Sequence, residues 1–266
     1  MSRLAPPATL AEHRVLLVND DGIHAPGLIL LEDLVRQFTD DVWVVAPDEE
    51  KSGASHSLSL TNPLRIREID SRHFAVKGTP TDCTLLAVHE VMRETPPTVV
   101  LSGINRGANL AEDVTYSGTA AAAMEGALLG FRSIAFSQVF TLGREPHWET
   151  SRAFLRRVLE PLLRCDWMPG SFVNVNFPDV PPDKVAGIRV TQQGWRLPGS
   201  FRPEKRLDGR KVPYYWITFA HKLGEVDPAS DLQAMRDKMV SVTPMQLDLT
   251  AHGFRHYLDA QFREGA

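Results

Sequence analysis

The sequence predicts an α/β fold in which helices cover both faces of a mostly parallel sheet, followed by a β-rich extension. Short, continuous apolar runs recur along the first two thirds of the chain, as expected of strands buried on both faces of a parallel sheet. Segments with apolar residues at helical spacing separate these runs. After about residue 178 the pattern changes to an alternation of apolar and polar residues, which is typical of half-buried strands.

The first elements form a strand–helix–strand unit. Residues 14–18 contain four consecutive aliphatic side chains and end at an Asn-Asp-Asp-Gly turn. Residues 28–38 have the spacing of an amphipathic helix, and residues 42–46 form a second apolar run that stops at Pro47. Two strands joined by one helix within about 30 residues predict a βαβ unit with a right-handed crossover.

The remaining elements repeat this theme and then depart from it. The core continues with extended structure at 59–69, helices at 81–93, 119–129 and 148–164, and strands at 98–102, 133–137 and 172–177. The extension contains a β pattern over 187–220, interrupted by a basic loop at 196–211, then a strand at 240–247 and a short C-terminal helix. We therefore expect a leader (1–13), an α/β core (14–185) and a β-rich extension (186–266).

Composition excludes several classes of protein. The 266 residues carry 33 acidic and 29 basic side chains, a formal net charge of −4, which gives no field for a nucleic-acid polymer or an anionic membrane. No apolar run approaches the roughly 20 residues of a membrane helix, and the N-terminus lacks the apolar region of a signal peptide. Two cysteines, Cys83 and Cys165, cannot form a disulfide framework. These features predict a cytoplasmic protein.

Three polar loops follow predicted strands, at residues 19–22, 47–56 and 102–109. Ligands bind outside the carboxyl ends of the strands in open α/β sheets, so these loops are the candidate site. Asp20 and Asp21 are adjacent carboxylates, whose repulsion a cation would remove; a turn with two solvated aspartates is the alternative. Hydroxyl and amide oxygens in the other loops favour a hard cation such as Mg²⁺ or Mn²⁺.

A second candidate feature is the start of the Ala-rich helix, at residues 117–119. Free N–H groups and the helix dipole attract an anion such as phosphate to this end. Ser117 or Thr119 as a plain helix cap is the alternative. Gly103 and Gly107 would let the backbone approach a ligand closely.

Other candidate residues carry weaker signals. His24 and His56 lie in the site loops, where either is a candidate general acid or base, although surface histidines are the more common case. Trp195 is a candidate for stacking on a base, or for packing. The basic run 202–211 predicts a solvated loop that could guide an anionic substrate.

Several motifs are absent from the sequence. It has no Gly-x-x-x-x-Gly-Lys-Ser/Thr run, no Gly-x-Gly-x-x-Gly after the first strand and no Gly-x-Ser-x-Gly elbow. The acidic pair is Asp-Asp rather than the Asp-x-Asp of phosphatases that form an aspartyl-phosphate. This difference favours direct attack by water.

Seen together, these loops resemble the conserved blocks of the SurE (survival protein E) family of nucleotidases, over about residues 14–250. The matching blocks include VNDDGIHAPG at 18–27, SGINRGANL at 102–110 and YSGTA at 116–120. Further blocks match at 45–57, 77–83, 241–244 and 248–250. The chain departs from the family's pattern at Ser230, where threonine is common, and at residues 235–239.

The resemblance implies a metal-dependent hydrolase of nucleoside 5′- and 3′-monophosphates, and of short polyphosphate in some members, by metal-assisted attack of water. One divalent metal ion per subunit, Mg²⁺ or Mn²⁺, is the implied cofactor, held by Asp20, Asp21, Ser52 and Asn105. The implied catalytic residues are Asp20, Asp21 and Asn105. The implied phosphate contacts come from Asn109, Ser117, Gly118 and Thr119.

The resemblance also implies a Rossmann-like core with a β-hairpin extension and a C-terminal segment swapped between subunits, giving a homodimer or homotetramer. One alternative is a non-catalytic nucleotide-binding regulatory protein that uses the same loops; the presence of all four metal ligands disfavours it. Another is a cofactor-dependent oxidoreductase, which the missing glycine fingerprint disfavours.

Overall fold

A nine-stranded sheet forms the centre of the computed structural model, which describes residues 9–199, 201–219 and 224–264. The first eight residues of the predicted leader lie outside that range. The strands of this sheet are β1 (Val15–Val18), β2 (Val42–Pro47), β3 (Ile66–Glu68), β4 (His73–Val76), β5 (Val99–Arg106), β6 (Arg132–Gln138), β7 (Ser171–Phe177), β8 (Gly187–Val190) and β11 (Met239–Gln246). A separate hairpin consists of β9 (Phe201–Leu207) and β10 (Pro213–Phe219).

The sheet order is β3-β4-β2-β1-β5-β6-β7-β11-β8. The six neighbouring strands β4, β2, β1, β5, β6 and β7 are parallel. β3 runs antiparallel to β4, and β11 runs antiparallel to β7. The predicted mostly parallel α/β fold is confirmed. Two strands from after residue 185, β8 and β11, complete one edge of this sheet, and the division of the chain at that residue stays a prediction.

The helices cover both faces of the sheet. Their bounds are α1 (Pro26–Val35), α2 (Pro80–Leu86), α3 (Gly118–Leu128), α4 (Trp148–Arg164), α5 (Asp231–Arg236) and α6 (His252–Glu264), and a π-helical turn at Ala87–Val91 continues α2. α1 and α4 pack on one face, and α2 and α3 on the other. α3 approaches the sheet closely: a Cβ on Gly126 would lie 2.5 Å from Ser133 Oγ. The small residues of α3 therefore bring its N-terminus close to the strand ends.

The basic loop predicted at 196–211 is wrong, because residues 201–207 form strand β9. β9 pairs with β10 in antiparallel register, from Phe201 opposite Phe219 to Leu207 opposite Pro213. Side chains on both faces of this hairpin are exposed, so the strand has no apolar–polar alternation by which it could be recognised. None of the described helices is both long and apolar enough to cross a membrane.

Candidate functional site

A cleft of about 850 Å³ lies at the carboxyl ends of the central strands. Adjacent strands β1 and β5 run parallel, so the loops that follow them meet at one edge of the sheet. The N-terminus of α3 reaches the same edge. Five of the predicted site residues line this cleft: Asp20, Ser52, Asn105, Asn109 and Ser117.

Asp20 is the most deeply placed carboxylate of the cleft, with 4% of its surface exposed. Thr119 Oγ1 donates a hydrogen bond of 2.5 Å to Asp20 Oδ1. Gly118 packs directly on this carboxylate, since a Cβ there would lie 2.8 Å from Asp20 Cβ and 2.9 Å from its Oδ2. Asp21 is half-buried, and its Oδ2 accepts a hydrogen bond of 3.0 Å from the backbone N–H of Arg106. The first turn of α3 and the end of β5 thus fix the aspartate pair from two sides.

The electrostatics of the pair favour a cation. Burial, and after it the neighbouring charge of Asp21, raise the pKa of Asp20 to about 7, although hydrogen bonds from Thr119 act in the opposite direction. Burial also raises the pKa of Asp21, against the hydrogen bond from Arg106. Both raised pKa values mean that ionising the two carboxylates costs free energy unless a positive charge lies beside them.

The donor set around the pair suits a hard divalent cation. No group of three or more His, Cys, Asp or Glu side chains suited to a metal occurs in the part of the chain that the structure describes. A metal ion at this pair would need neutral oxygen ligands as well. Asn105 Nδ2 donates to the carbonyl of Gly107 at 3.1 Å, which leaves its Oδ1 for the cleft. Gly107 has φ +145°, a conformation that favours glycine. Two carboxylates with amide and hydroxyl oxygens fit Mg²⁺ or Mn²⁺.

Ser52 is the least fixed of the predicted metal ligands. It lies on an exposed loop after β2, and its Oγ donates to Glu50 Oε1 at 2.8 Å. The main chain of the same loop is anchored to the site, because Lys51 N–H donates to the carbonyl of Asp20 at 2.7 Å. Ser52 is therefore near the cleft, with its hydroxyl hydrogen directed to Glu50.

The start of α3 has two roles. Ser117 caps the helix by accepting a hydrogen bond from Ala120 N–H at 3.0 Å, and it also lines the cleft. Gly118 and Thr119 are buried against Asp20 and are not among the residues that line the cleft. Ser117 and Asn109 are thus placed to meet a ligand, whereas Gly118 and Thr119 act on the aspartate. Phosphate contact by any of the four stays a prediction.

The structure does not bring the other candidates to the cleft. His24 is exposed in the turn after β1. His56 lines a separate cavity of about 270 Å³, and its Nε2 lies 2.9 Å from Glu125 Oε2. Trp195 is 76% exposed and does not line the cleft. The basic run 202–211 belongs to the hairpin.

Sequence reasoning missed Arg196, which it placed at the start of an exposed loop. The side chain is 5% exposed and lines the cleft. Its two terminal nitrogens donate to the two carboxylate oxygens of Asp113 at 2.9 and 2.8 Å, and one of them also reaches Glu112 Oε1 at 3.2 Å. This bidentate pair ties the loop before α3 to the extension. The partners are 83 residues apart in sequence, and no local pattern could have revealed the pair.

Asp231 at the start of α5 strengthens the same connection. Its buried carboxylate accepts hydrogen bonds from the backbone N–H groups of Ala111, Gly194 and Leu232 at 2.7 to 2.9 Å. Burial raises the pKa of Asp231 against these three donors. Sequence reasoning also missed five apolar residues that line the cleft: Val139, Phe140, Leu142, Leu232 and Met235.

Known proteins are similar to this chain in sequence and in fold. A sequence model of the family described as "Survival protein SurE" matches residues 15–199. A 5′-nucleotidase SurE of Methylobacterium radiotolerans is 51% identical over 239 residues, which cover 89% of this chain and 94% of that protein. One of Chelativorans sp. is 52% identical over 248 residues, 92% of this chain and 98% of the relative. The crystal structure of a SurE protein from Aquifex aeolicus superposes with a TM-score of 0.80 at 37% identity, covering 93% of this chain and 98% of that one.

Proposed function

The chain belongs to the SurE family, and on that premise we propose that it hydrolyses nucleoside 5′- and 3′-monophosphates with one divalent metal ion, Mg²⁺ or Mn²⁺. The relatives named 5′-nucleotidase SurE, at about half identity over nine tenths of the chain, support a nucleotidase. The observation that carries the proposal to this chain is the convergence of Asp20, Ser52, Asn105, Asn109 and Ser117 in one cleft. Short polyphosphate is a further proposed substrate.

The proposed metal ligands are Asp20, Asp21, Ser52 and Asn105. A bound divalent cation supplies Lewis-acid polarisation of the phosphoryl oxygens. The chain's part is to hold the carboxylates in fixed positions: Thr119 and Gly118 immobilise Asp20, and Arg106 N–H immobilises Asp21. One of the two carboxylates orients the attacking water, and Asn105 completes the catalytic set. Such preorganisation contributes more to rate than any single contact.

The proposed phosphate contacts are made by Asn109 and by residues 117–119 at the start of α3. The positive end of the helix dipole favours the dianionic phosphate at this position. Apolar lining residues such as Phe140 and Met235 offer a surface for the nucleoside. Polar and apolar side chains thus line one cleft, as a ligand with a phosphate and a nucleoside requires.

We also propose that the chain functions as a homodimer or homotetramer. The hairpin and α6 expose large apolar side chains, including Trp216 and Phe262. Large apolar side chains grouped on exposed elements in this way favour an interaction surface. A cytoplasmic location, expected from the N-terminal sequence, stays a prediction.

The test of this function is phosphate release from a panel of 5′- and 3′-nucleoside monophosphates and short polyphosphate. Each substrate is assayed with EDTA, Mg²⁺ and Mn²⁺ in parallel. We expect release with a metal, none with EDTA, and recovery when metal is added back. Protein that binds nucleotide but releases no phosphate with either metal would instead be a nucleotide-binding regulator.

A further inference from the structure

Two asparagines on β7, the third strand from one edge of the sheet, are fully buried. Asn174 and Asn176 point to the same face because they are two residues apart on a strand. Val173 and Val175, on the opposite face, belong to the hydrophobic core with α1 and α4. Burying a side-chain amide costs free energy unless hydrogen bonds compensate. The partners of these two amides therefore indicate why asparagine occupies these positions.

Both amides are directed at the same residue, Asn109. Asn174 Nδ2 and Asn176 Nδ2 donate to the backbone carbonyl of Asn109 at 2.7 and 3.0 Å. Asn176 Oδ1 accepts a hydrogen bond from the backbone N–H of Asn109 at 2.9 Å. Asn109 lies in the loop after β5, outside any strand. The side chain of Asn176 thus pairs with both the backbone N–H and the backbone carbonyl of Asn109, as a neighbouring strand would.

The side chain of Asn109 is fixed by a third residue. Its Nδ2 donates to Ser137 Oγ, on buried strand β6, at 2.8 Å. Asn109 is 6% exposed, yet it lines the cleft together with Asp20 and Asn105. Within the described ranges no acceptor is assigned to the second hydrogen of Nδ2. That hydrogen is left for a ligand oxygen in the cleft.

We propose that Asn174 and Asn176 are positioning residues for phosphate binding, which hold the backbone of Asn109 so that its side chain donates to a phosphoryl oxygen. The inference depends on the function proposed above. A loop side chain moves unless its supports are rigid, and a displacement of about 1 Å is enough to lose most of the benefit of such a donor. Strand β7 is a rigid support because it pairs on both sides, with β6 and β11.

The test replaces Asn176 with alanine in the metal-loaded, full-length protein. We expect Asn176→Ala to raise KM for a nucleoside monophosphate and Kd for inorganic phosphate by about tenfold, the equivalent of one well-placed hydrogen bond to a charged group. The affinity for Mn²⁺ is expected to stay unchanged, because Asn176 contacts none of the proposed metal ligands. Calorimetry measures both binding constants without requiring turnover.

Val175→Ala is the matched control, since it removes buried volume from the same strand but on the opposite face. It is expected to lower the thermal midpoint without changing Kd for phosphate. A double-mutant cycle gives the sharper readout. In an Asn109→Ala background, Asn176→Ala should cause no further loss of phosphate affinity, because its effect passes through Asn109.

The inference is overturned if Asn176→Ala weakens phosphate binding no more than Val175→Ala does. It is also overturned if Asn176→Ala raises Kd for phosphate by the same factor in the wild-type protein and in the Asn109→Ala variant. If Asn176→Ala does not fold, Asn174→Ala replaces it in the same cycle, because it removes one of the two donors to the Asn109 carbonyl and leaves the contacts of Asn176. A wild-type protein that neither binds phosphate nor releases it from nucleotides would refute the proposed function itself. If instead the wild-type protein is active and the Asn176 variant binds phosphate as the wild type does, the positioning role alone is refuted.

Discussion

The cleft and the C-terminal part of the chain differ in which side chains they bury and which they leave exposed to water. Beside the cleft, the buried charges of Arg196 and Asp231 find partners within the chain: Arg196 pairs with Asp113, and Asp231 accepts three backbone N–H groups. The hairpin β9–β10 and helix α6 instead leave large apolar side chains exposed. These include Tyr215 (59%), Trp216 (57%), Ile217 (62%), Tyr257 (60%) and Phe262 (78%).

The proposed oligomer would account for this difference: the cleft is formed when one chain folds, and a second subunit would cover the exposed region. All proposed metal and phosphate ligands come from residues 20–119, in the core. The two regions nevertheless touch, because Arg196, Leu232 and Met235 flank the hairpin in sequence and also line the cleft. If the two regions act independently, substitutions in the cleft should change kcat alone, and substitutions in the exposed region should change the oligomeric state alone.

Replacing Asp20 with asparagine tests the cleft alone. The change keeps the shape of the side chain but removes one charge of the proposed cation site. We expect kcat to fall by about 10²-fold or more, with the fold retained. Asp33→Asn on the exposed surface of α1 is the matched control and should leave kcat unchanged. Near-wild-type turnover in folded Asp20→Asn protein would contradict the site assignment.

Gly118→Ala tests the contact between α3 and the aspartate. The new Cβ would lie 2.8 Å from Asp20 Cβ and 3.1 Å from Pro80 Cγ, so either the helix start or the carboxylate must move. A displacement of this kind is expected to lower kcat by about tenfold to 10²-fold. Alanine is a better helix former than glycine, but this gain only partly offsets the overpacking, so the free energy of unfolding should fall by about 1 to 3 kcal/mol.

The control for Gly118→Ala is Gly253→Ala in α6, where a Cβ would meet nothing within 4 Å. Both substitutions add one methyl group near the start of a helix. Steady-state kinetics and thermal midpoints of the two variants separate the contact with Asp20 from general helix effects. Equal kcat for the two variants would show that Gly118 does not position Asp20.

The contrast between the regions also explains what the sequence could predict. The buried strands, the Ala-rich α3 and the Asp-Asp turn are local patterns, and each was placed correctly within a few residues. Strand β9 was missed because its side chains are exposed on both faces and follow no period. Arg196 and the asparagines of β7 depend on partners more than 60 residues away in sequence. A single sequence carries no local signal for such long-range pairs.

A double variant, Trp216→Arg with Phe262→Arg, tests the exposed region alone. Charges on these apolar surfaces should dissociate the proposed oligomer into smaller species, as sedimentation velocity would measure. We expect kcat to remain within about threefold of wild type, since distant sites couple weakly. A fall of tenfold or more on dissociation would mean that a second subunit completes the cleft.

Ile29→Arg on α1 is the control for this variant. Ile29 is 51% exposed but isolated on the core, and single exposed apolar residues are normal. Its replacement should leave the sedimentation coefficient unchanged. An unchanged coefficient for the double variant as well would contradict the assignment of the hairpin and α6 to the interface.

At the amino ends of the strands, opposite the cleft, a hydrogen-bond network around Asp41 is expected to make a small contribution to stability. Asp41 precedes β2 and accepts hydrogen bonds from Arg14 Nε and Arg72 Nη1, both at 2.7 Å, and from Trp43 Nε1 at 3.1 Å. Burial alone would raise the pKa of Asp41, but the bonds from Arg72, Arg14 and Trp43 outweigh it and hold the pKa below its ordinary value. The network therefore stabilises the fold above the unfolded-state pKa near 3.8, and its contribution is lost as the pH falls through the lower folded-state value.

Asp41→Asn should lower the free energy of unfolding at pH 7 by about 1 kcal/mol or less, because the carboxylate is partly exposed and its ion pairs are screened. In urea titrations the difference from wild type should be constant above about pH 5 and disappear as the pH falls toward 2. kcat/KM at pH 7 should not change, since the network is at the end of the sheet remote from the cleft. A stability difference that persists at low pH would exclude the charge of Asp41 as its cause. A loss of activity without unfolding would show that the two ends of the sheet are coupled, and that the cleft depends on more of the core than its own loops.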